Sequence, residues 1–252
     1  MPNALLTGLF TDSVLLFAED SAQPDLLRRH LRLRADHPDW IHSLLITDRA
    51  ATQIDRLIAT VDDSVRLPVT VINTTGAGGL TSLAERSFDR LDVVAVDSPL
   101  RDPGDPVGNL MRIAATARLL DPETVVRVQI PYGFGWQDAI AEADAEGLQG
   151  HLDCSDTERL AERISAHIEA DLGFAADLPG DGLEAGNLIC AVDALIDDAD
   201  HVAATAWLAA DDHDRVTTTI AGFDPDRVGR VRRRLTSLRC ADVSAVLDRL
   251  KS

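Results

Sequence analysis

The sequence predicts an α/β fold of the (β/α)8 barrel type, and three observations carry the prediction. Short apolar runs rich in Val, Ile and Leu alternate with helical segments of about a dozen residues, the rhythm of strand–helix–strand units. Eight such runs occur, at residues 13–17, 43–47, 68–73, 92–97, 125–130, 148–153, 174–177 and 235–240. The chain of 252 residues matches the ~250 typical of a barrel, and no linker, repeat or low-complexity tract divides it, so one domain over residues 1–252 is expected. An open doubly wound sheet is the alternative that the same alternation allows.

The first run, residues 13–17, is read as the opening strand. Residues 43–47 follow, then a helix over 48–60 in which Ile54, Leu57, Ile58 and Val61 recur at the spacing of one buried stripe. The strand at 68–73 leads through Gly76-Ala-Gly-Gly79 to a helix at 80–88. The strand at 92–97 precedes Asp105-Pro106, a capping carboxylate with proline at the first helical position, where a missing N–H costs nothing. After the strand at 125–130 comes a helix at 137–146, which Gly147 can end in the left-handed conformation. The strand at 148–153 precedes Ser155-Asp-Thr-Glu158, read as a capping box for a helix carrying Leu160, Ile164, Ile168 and Leu172, closed by Gly173. A strand at 174–177, a helix at 186–196, a helix opened by Asp224-Pro225 and running to Arg234, a strand at 235–240 and a helix at 243–250 complete the pattern. Residues 178–234 fit least well, because the segments 201–210 and 216–220 have no place in the repeat.

Composition removes several function classes. Twenty-four basic against 42 acidic residues leave a net charge of −18, a field that repels nucleic acid and anionic membrane surfaces. The longest apolar runs are far too short to span a bilayer. All basic residues but one are arginines, and Lys251 is the single lysine. Schiff-base, pyridoxal-phosphate and P-loop chemistry all need an amine, and a chain terminus is a poor place for it. Cys154, Cys190 and Cys240 are odd in number and widely spaced, which implies no disulfide framework and fits a reducing compartment. No basic residue precedes Arg28, so no charged segment leads into a secretory signal, and a cytoplasmic location is expected.

Strand alternation then locates a candidate site. Polar residues two apart share the inner face of a barrel strand, and barrel active sites are built at the carboxyl ends of the strands. Arg127 and Gln129 share one face while Val126, Val128 and Ile130 take the other. Gln149, His151 and Asp153 form a second polar stripe, and Ala95 with Asp97 a third. Asp97, Gln129, His151 or Asp153, and Asp177 therefore fall at strand ends. A histidine beside carboxylates can act as general base or bind a divalent metal; the bland alternative is a hydrogen-bonded barrel interior without a ligand. No compact ligand motif such as H-E-x-x-H is present, so neither a metal nor a cofactor is expected.

Other features read more simply. Gly76-Ala-Gly-Gly79 lies where backbone amides can cradle a phosphate, but without G-x-G-x-x-G or a lysine it reads as a βα loop. Asp211-Asp-His-Asp214 reads as a solvated turn, and His151-Leu-Asp-Cys154 resembles a metal half-site with no second half. Arg227, Arg230, Arg232, Arg233 and Arg234, like Arg28, Arg29, Arg32 and Arg34, are expected to pair with carboxylates on neighbouring helices. His37 and His42 flank Asp39 and Trp40 at a strand entrance and read as core or surface histidines.

Phe10-Thr-Asp12-Ser-Val14, the Arg- and His-rich segment 28–34, Ala95-Val-Asp-Ser-Pro99, Val126-Arg-Val-Gln-Ile-Pro131 and Gly147-Leu-Gln-Gly-His-Leu152 occur in this order. As an ordered set they resemble a family of uncharacterised, barrel-like bacterial proteins. Members begin with a phenylalanine and two aspartates and end two strands with glutamate and proline. The departures are instructive. Where the family has a lysine the chain has His151, the arginine two residues on is Asp153, and a second lysine is Ala175. The stretch after it is Leu178-Pro-Gly-Asp181, and the second strand-end glutamate is Gln129. Asp97 and Asp12 keep the carboxylates. The resemblance thus implies the fold and a diverged member, not an activity.

The leading expectation is a barrel that binds a small polar metabolite at its mouth and performs lysine-independent lyase or isomerase chemistry. Asp97, His151 and Asp153 would be its acid–base groups, and Asp12, Arg127, Gln129 and Asp177 its ligand contacts. A non-catalytic ligand-binding or interaction protein is the competing expectation, and a nucleotide binder at Gly76–Gly79 the third. The sequence leaves substrate and homo-oligomerisation open.

Overall fold

A strand buried on both faces needs apolar residues on the side that meets the helices, and that rule accounts for most of the elements. A computed structural model describes residues 3–16, 18–178 and 184–251. In chain order α1 (Asn3–Leu6) and β1 (Phe10–Asp12) are followed by α2 (Gln23–Asp36), β2 (Ile41–Thr47), α3 (Ala51–Val61), β3 (Leu67–Ile72), α4 (Ala77–Ala84) and β4 (Leu91–Pro99). Then come α5 (Pro106–Ala117), β5 (Val125–Gln129), α6 (Trp136–Ala145), β6 (Gln149–Asp153), α7 (Leu160–Glu169) and β7 (Phe174–Asp177). Among the described residues α8 (Ala185–Asp198), α9 (His201–Leu208), α10 (His213–Ala221) and α11 (Pro225–Arg234) separate β7 from β8 (Leu235–Cys240), and α12 (Val243–Lys251) follows.

The eight strands are all parallel, each pairs with the next, and β8 pairs with β1, so the sheet closes into a barrel. Closure excludes the open doubly wound sheet. The apolar mass lies outside the cylinder, between strands and helices. One cluster packs α3 and α5 residues such as Ile54, Ile58, Leu110 and Ile113 on Val69, Val71 and Val128. The other packs Leu188, Ile189 and Val192 of α8 with Ile164, Leu152, Ala176 and Leu238. Residues 178–234 resisted the simple repeat because α9 packs on α7 and α8, and α10 on α8, as additions to the eighth unit. Among the described residues no helix is long and apolar enough to cross a membrane.

Several local signals act as read. Asp105 accepts from the Gly108 amide at 2.9 Å and Asp224 from the Arg227 amide at 2.8 Å, each at a helix whose first residue is proline. Gly147 ends α6 with φ of +69°, where a side chain would be strained.

Three readings are corrected. The first strand is residues 10–12, not 13–17: Ser13 still donates to Cys240, but Leu16 then turns back to Ser13 and the Asp12 carboxylate takes the Val14 amide. Phe17 lies outside the described residues. Ser155-Asp-Thr-Glu158 caps nothing, because Asp153 takes the Ser155 amide at 2.9 Å in a turn of its own and α7 starts only at Leu160. The chain reverses after α7 at Asp171, in the left-handed region at φ of +59°, and not at Gly173.

Candidate functional site

Three register shifts fix which side chains turn inward. In the pairings of β1 with β2, β3 with β4 and β7 with β8, one strand carries an extra residue: His42, Val94 and Thr236 respectively. Above these bulges, pairing and alternation sort the inner residues into tiers contributed alternately by even and odd strands, the arrangement that fills barrels of this kind. The lowest tier is Ser43, Ala95, Gln149 and Ser237, and above it lie Thr11, Thr70, Arg127 and Ala175. The third tier is Leu45, Asp97, His151 and Arg239, and the fourth Ile72, Gln129 and Asp177 with Ser13 just past β1.

The lower tiers are small and hydroxylic. Thr11 lies 2.9 Å from Ser237 and 3.2 Å from Ser43, and Ser43 lies 2.7 Å from Thr70, all by their hydroxyls. This chain satisfies buried polar groups without filling the cylinder with aliphatic side chains. The upper two tiers surround a cavity of about 390 Å³ that opens at the carboxyl ends of the strands, with Leu16, Pro99, Leu178 and Ala241 at its rim. That volume is at the lower end of ordinary small-molecule sites.

Charge is concentrated in the third tier. Arg239 Nη2 lies 2.5 Å from Asp97 Oδ2 and its Nη1 3.3 Å from Asp177 Oδ1. Arg127 Nη1, from the tier below, lies 3.6 Å from Asp97 Oδ1, and His151 Nε2 lies 3.1 Å from Asp177 Oδ2. These contacts are close, yet they are not aligned as hydrogen bonds. Both Asp97 oxygens, His151 Nε2, Arg127 Nε and Nη1, and Arg239 Nε and Nη2 are buried without a hydrogen-bond partner. Burial lowers the Arg127 pKa; Asp97 opposes that shift and Arg239 adds to it. Burial raises the Asp177 carboxyl, but contact with His151 and the charges of His151 and Arg239 outweigh it and hold the group below the ordinary carboxylate value.

The residues singled out from the sequence divide into three sets. Asp97, Gln129, His151 and Asp177 line the cavity together, with Arg127 directly beneath. Asp153 does not line it, its carboxylate being held by the Ser155 amide. Asp12 points away from the barrel axis towards α2, where Oδ2 lies 2.8 Å from His30 Nδ1. The charged lining residue that the sequence reading left out is Arg239. Its signal was present: Ser237 and Arg239 alternate with Leu238 and Cys240 as Arg127 and Gln129 do with their valines.

The weaker candidates resolve into structure. The Gly76–Gly79 loop is tied down locally: Gly79 and Leu80 donate to the Gly76 carbonyl, and just before it Thr75 donates to the Asn73 side chain and Thr74 to Asp48. Gly76 has φ of +72°, and a side chain on Gly79 would meet Asn73 Oδ1 at 2.1 Å, so both glycines serve the turn. His151 faces the cavity while Cys154 lies in the outer apolar layer, where burial raises its thiol to about 12. Among the described residues no three His, Cys, Asp or Glu side chains are placed to share a metal ion. Asp212 caps α10, Arg227 pairs with Asp193, and Arg233 and Arg234 both reach Asp171. His42 is held to about 4 by burial and by the charges of Arg127 and Arg232. His37 stacks on Trp40.

Comparison with known proteins adds little to this geometry. No family model matches the chain, and no curated protein matches it. Among solved structures it is similar to dihydropteroate synthases. One from Xanthomonas albilineans, in complex with indole-2-carboxylic acid and 6-chloroguanine, is 14% identical with a TM-score of 0.47, covering 98% of this chain and 92% of that one. One from Yersinia pestis, with a pterine-sulfa conjugate, is 12% identical with a TM-score of 0.47, over 98% and 93%. A second from Xanthomonas albilineans, with 4-aminobenzoic acid, is 13% identical with a TM-score of 0.48, over 98% and 92%. These are likenesses of chain path; the assignment as a (β/α)8 barrel rests on this chain's own closed ring of strand pairs.

Proposed function

We propose that the upper tiers bind a small polar metabolite and that the His151–Asp177 pair moves a proton on it, in isomerase- or lyase-type chemistry that uses no Schiff base. One observation carries the reading: ionisable groups from β4, β6, β7 and β8 converge on one cavity, where they meet one another as close ion pairs that leave much of their hydrogen-bonding capacity poorly aligned. Buried polar groups are normally satisfied, and a ligand carrying hydroxyl or carbonyl oxygens would satisfy these.

Asp177, held ionised, orients the His151 ring and stabilises the imidazolium that forms when the ring accepts a proton. In a carbonyl compound that proton leaves the carbon beside the C=O, and the electron pair moves to the carbonyl oxygen. The Arg239 guanidinium lies in the same tier to stabilise the resulting negative charge. In a 2-hydroxycarbonyl compound, return of the proton to the former carbonyl carbon, with the hydroxyl proton passing to the former carbonyl oxygen, isomerises the compound; departure of a β-substituent with its bonding electron pair instead gives the lyase outcome. Asp97, fixed by Arg239, anchors a ligand hydroxyl. The one lysine, Lys251, belongs to α12 and to no barrel strand.

The test is proton exchange in D2O, followed by NMR, with hydroxycarbonyl compounds such as short aldoses and ketoses. Wild-type protein should exchange the proton beside the carbonyl, and His151→Gln should not. Binding without exchange would favour the second reading, a non-catalytic binding protein. That reading has its own support in the mutual pairing of Asp97 with Arg239 and of Asp177 with His151.

A further inference from the structure

The charge balance of the cavity floor selects among polar ligands, an inference that rests on the reading just given and narrows it. The fully buried part of the site holds Arg127, Arg239 and Asp97, with side-chain exposures of 3%, 5% and 3%: two cations and one carboxylate. Asp177 brings the formal sum to zero, but its side chain is 39% exposed at the rim and is shared with His151, so water screens it. The donors point the same way. Arg127 Nε and Arg239 Nε are buried with no acceptor, whereas Arg127 Nη1, Arg239 Nη2 and His151 Nε2 share just the Asp97 and Asp177 carboxylates, so donors outnumber acceptors at the floor.

The opposite wall is different. Leu45 and Ile72, with Leu16 at the rim, present an apolar surface on the β2–β3 side, while every charge comes from β4 to β8. A ligand filling this cavity therefore presents an acceptor-rich anionic end to the floor and a hydrocarbon body to the β2–β3 wall. We propose that the site takes small monocarboxylates with an oxygen on the neighbouring carbon, branched aliphatic 2-hydroxy and 2-oxo acids, whose carboxylate is held by Arg239 and whose alkyl body packs on Leu45 and Ile72.

The test is a calorimetric titration, at low salt, of wild-type protein with 2-hydroxyisocaproate and 2-oxoisocaproate, each beside its primary amide. The amide keeps size and shape and removes the charge. The acids should bind about tenfold or more tightly than the amides, because a charge-assisted contact is roughly twice as strong as a neutral one. Arg239→Lys should keep a reduced preference and Arg239→Gln should lose it. The wild-type comparison needs no variant, so a variant that fails to fold leaves the test intact. Equal or tighter binding of the amides would overturn the anion assignment and leave a neutral polar metabolite as the ligand. An acid preference that survives in folded Arg239→Gln would overturn the role of Arg239. Binding of neither series would remove this substrate class, while proton exchange on neutral hydroxycarbonyl compounds would still decide the broader reading.

Discussion

Arg239 on β8 reaches across the barrel to Asp97 on β4, the strand opposite it in the ring, and closes to 2.5 Å. The pair spans the floor of the cavity and ties the two halves of the cylinder together at the height of His151. An interior ion pair is costly to desolvate, and its main energetic signature is the penalty for breaking it.

Removing Asp97 alone leaves Arg127 as a buried cation without its carboxylate and Arg239 with just the partly exposed Asp177. Asp97→Ala should therefore cost about 3–5 kcal/mol in urea denaturation, and Arg239→Met should be comparably destabilising. The double variant Asp97→Leu with Arg239→Met should cost several kcal/mol less than the sum of the singles, because it removes both charges together. Additive losses would show that the contact carries no coupling.

Much of this was legible in the sequence, for a physical reason. The barrel follows from strand–helix alternation, and alternation within β5 and β6 sent Arg127, Gln129 and His151 to one side because their neighbours are apolar. The signal failed where side chains are recruited by local turns. Asp153 continues the inward stripe on paper, but a carboxylate at a strand end finds an amide two residues on more readily than a ligand. Asp12 shares its strand with Thr11, and three residues were too few to show which of them faces in. The pairing of Arg239 with Asp97 joins residues 142 apart in the chain (239 − 97 = 142), and no local pattern encodes such a contact.

Asp12 and His30 form a buried pair behind β1, with Nδ1–H donating to the carboxylate at 2.8 Å, while the second carboxylate oxygen takes the Val14 amide. Asp12→Asn should lower stability by about 1–3 kcal/mol, the usual range for a buried partner left unsatisfied, and leave ligand binding by the folded protein unchanged. Loss of binding at unchanged stability would place Asp12 in the site after all.

Gly150 faces outward from β6 onto His167 of α7, and a methyl group on it would lie 2.4 Å from His167 Cδ2. Gly150→Ala should cost about 1–3 kcal/mol through this overlap. Combining it with His167→Ala should recover part of that loss, because the overlap is then gone. Independent losses in thermal denaturation would locate the strain elsewhere.

His167 is also a source of pH dependence. Burial holds it to about 4, against the Arg163 carbonyl that accepts its Nδ1–H, so the folded protein keeps it neutral. The unfolded chain, near 6.5, binds the extra proton. Between roughly pH 6.5 and 4 stability should therefore fall with acidification, by up to ~1.4 kcal/mol per pH unit for this group, and level off below. His167→Leu should flatten the urea-midpoint profile over that window. An unchanged slope would show that the ring is already protonated in the folded state.

The central claim is that the third and fourth tiers hold a ligand. Its most direct measurement is ligand-observed NMR of small polar metabolites, hydroxy and oxo acids included, against wild type, Gln129→Ala, His151→Gln and Asp12→Asn. Gln129 lines the cavity, so its loss probes the site without breaking an ion pair. Binding by wild type and Asp12→Asn, weakened about tenfold in the two cavity variants, is the predicted result. Binding that ignores both cavity substitutions, or no binding by folded wild type, would contradict the account.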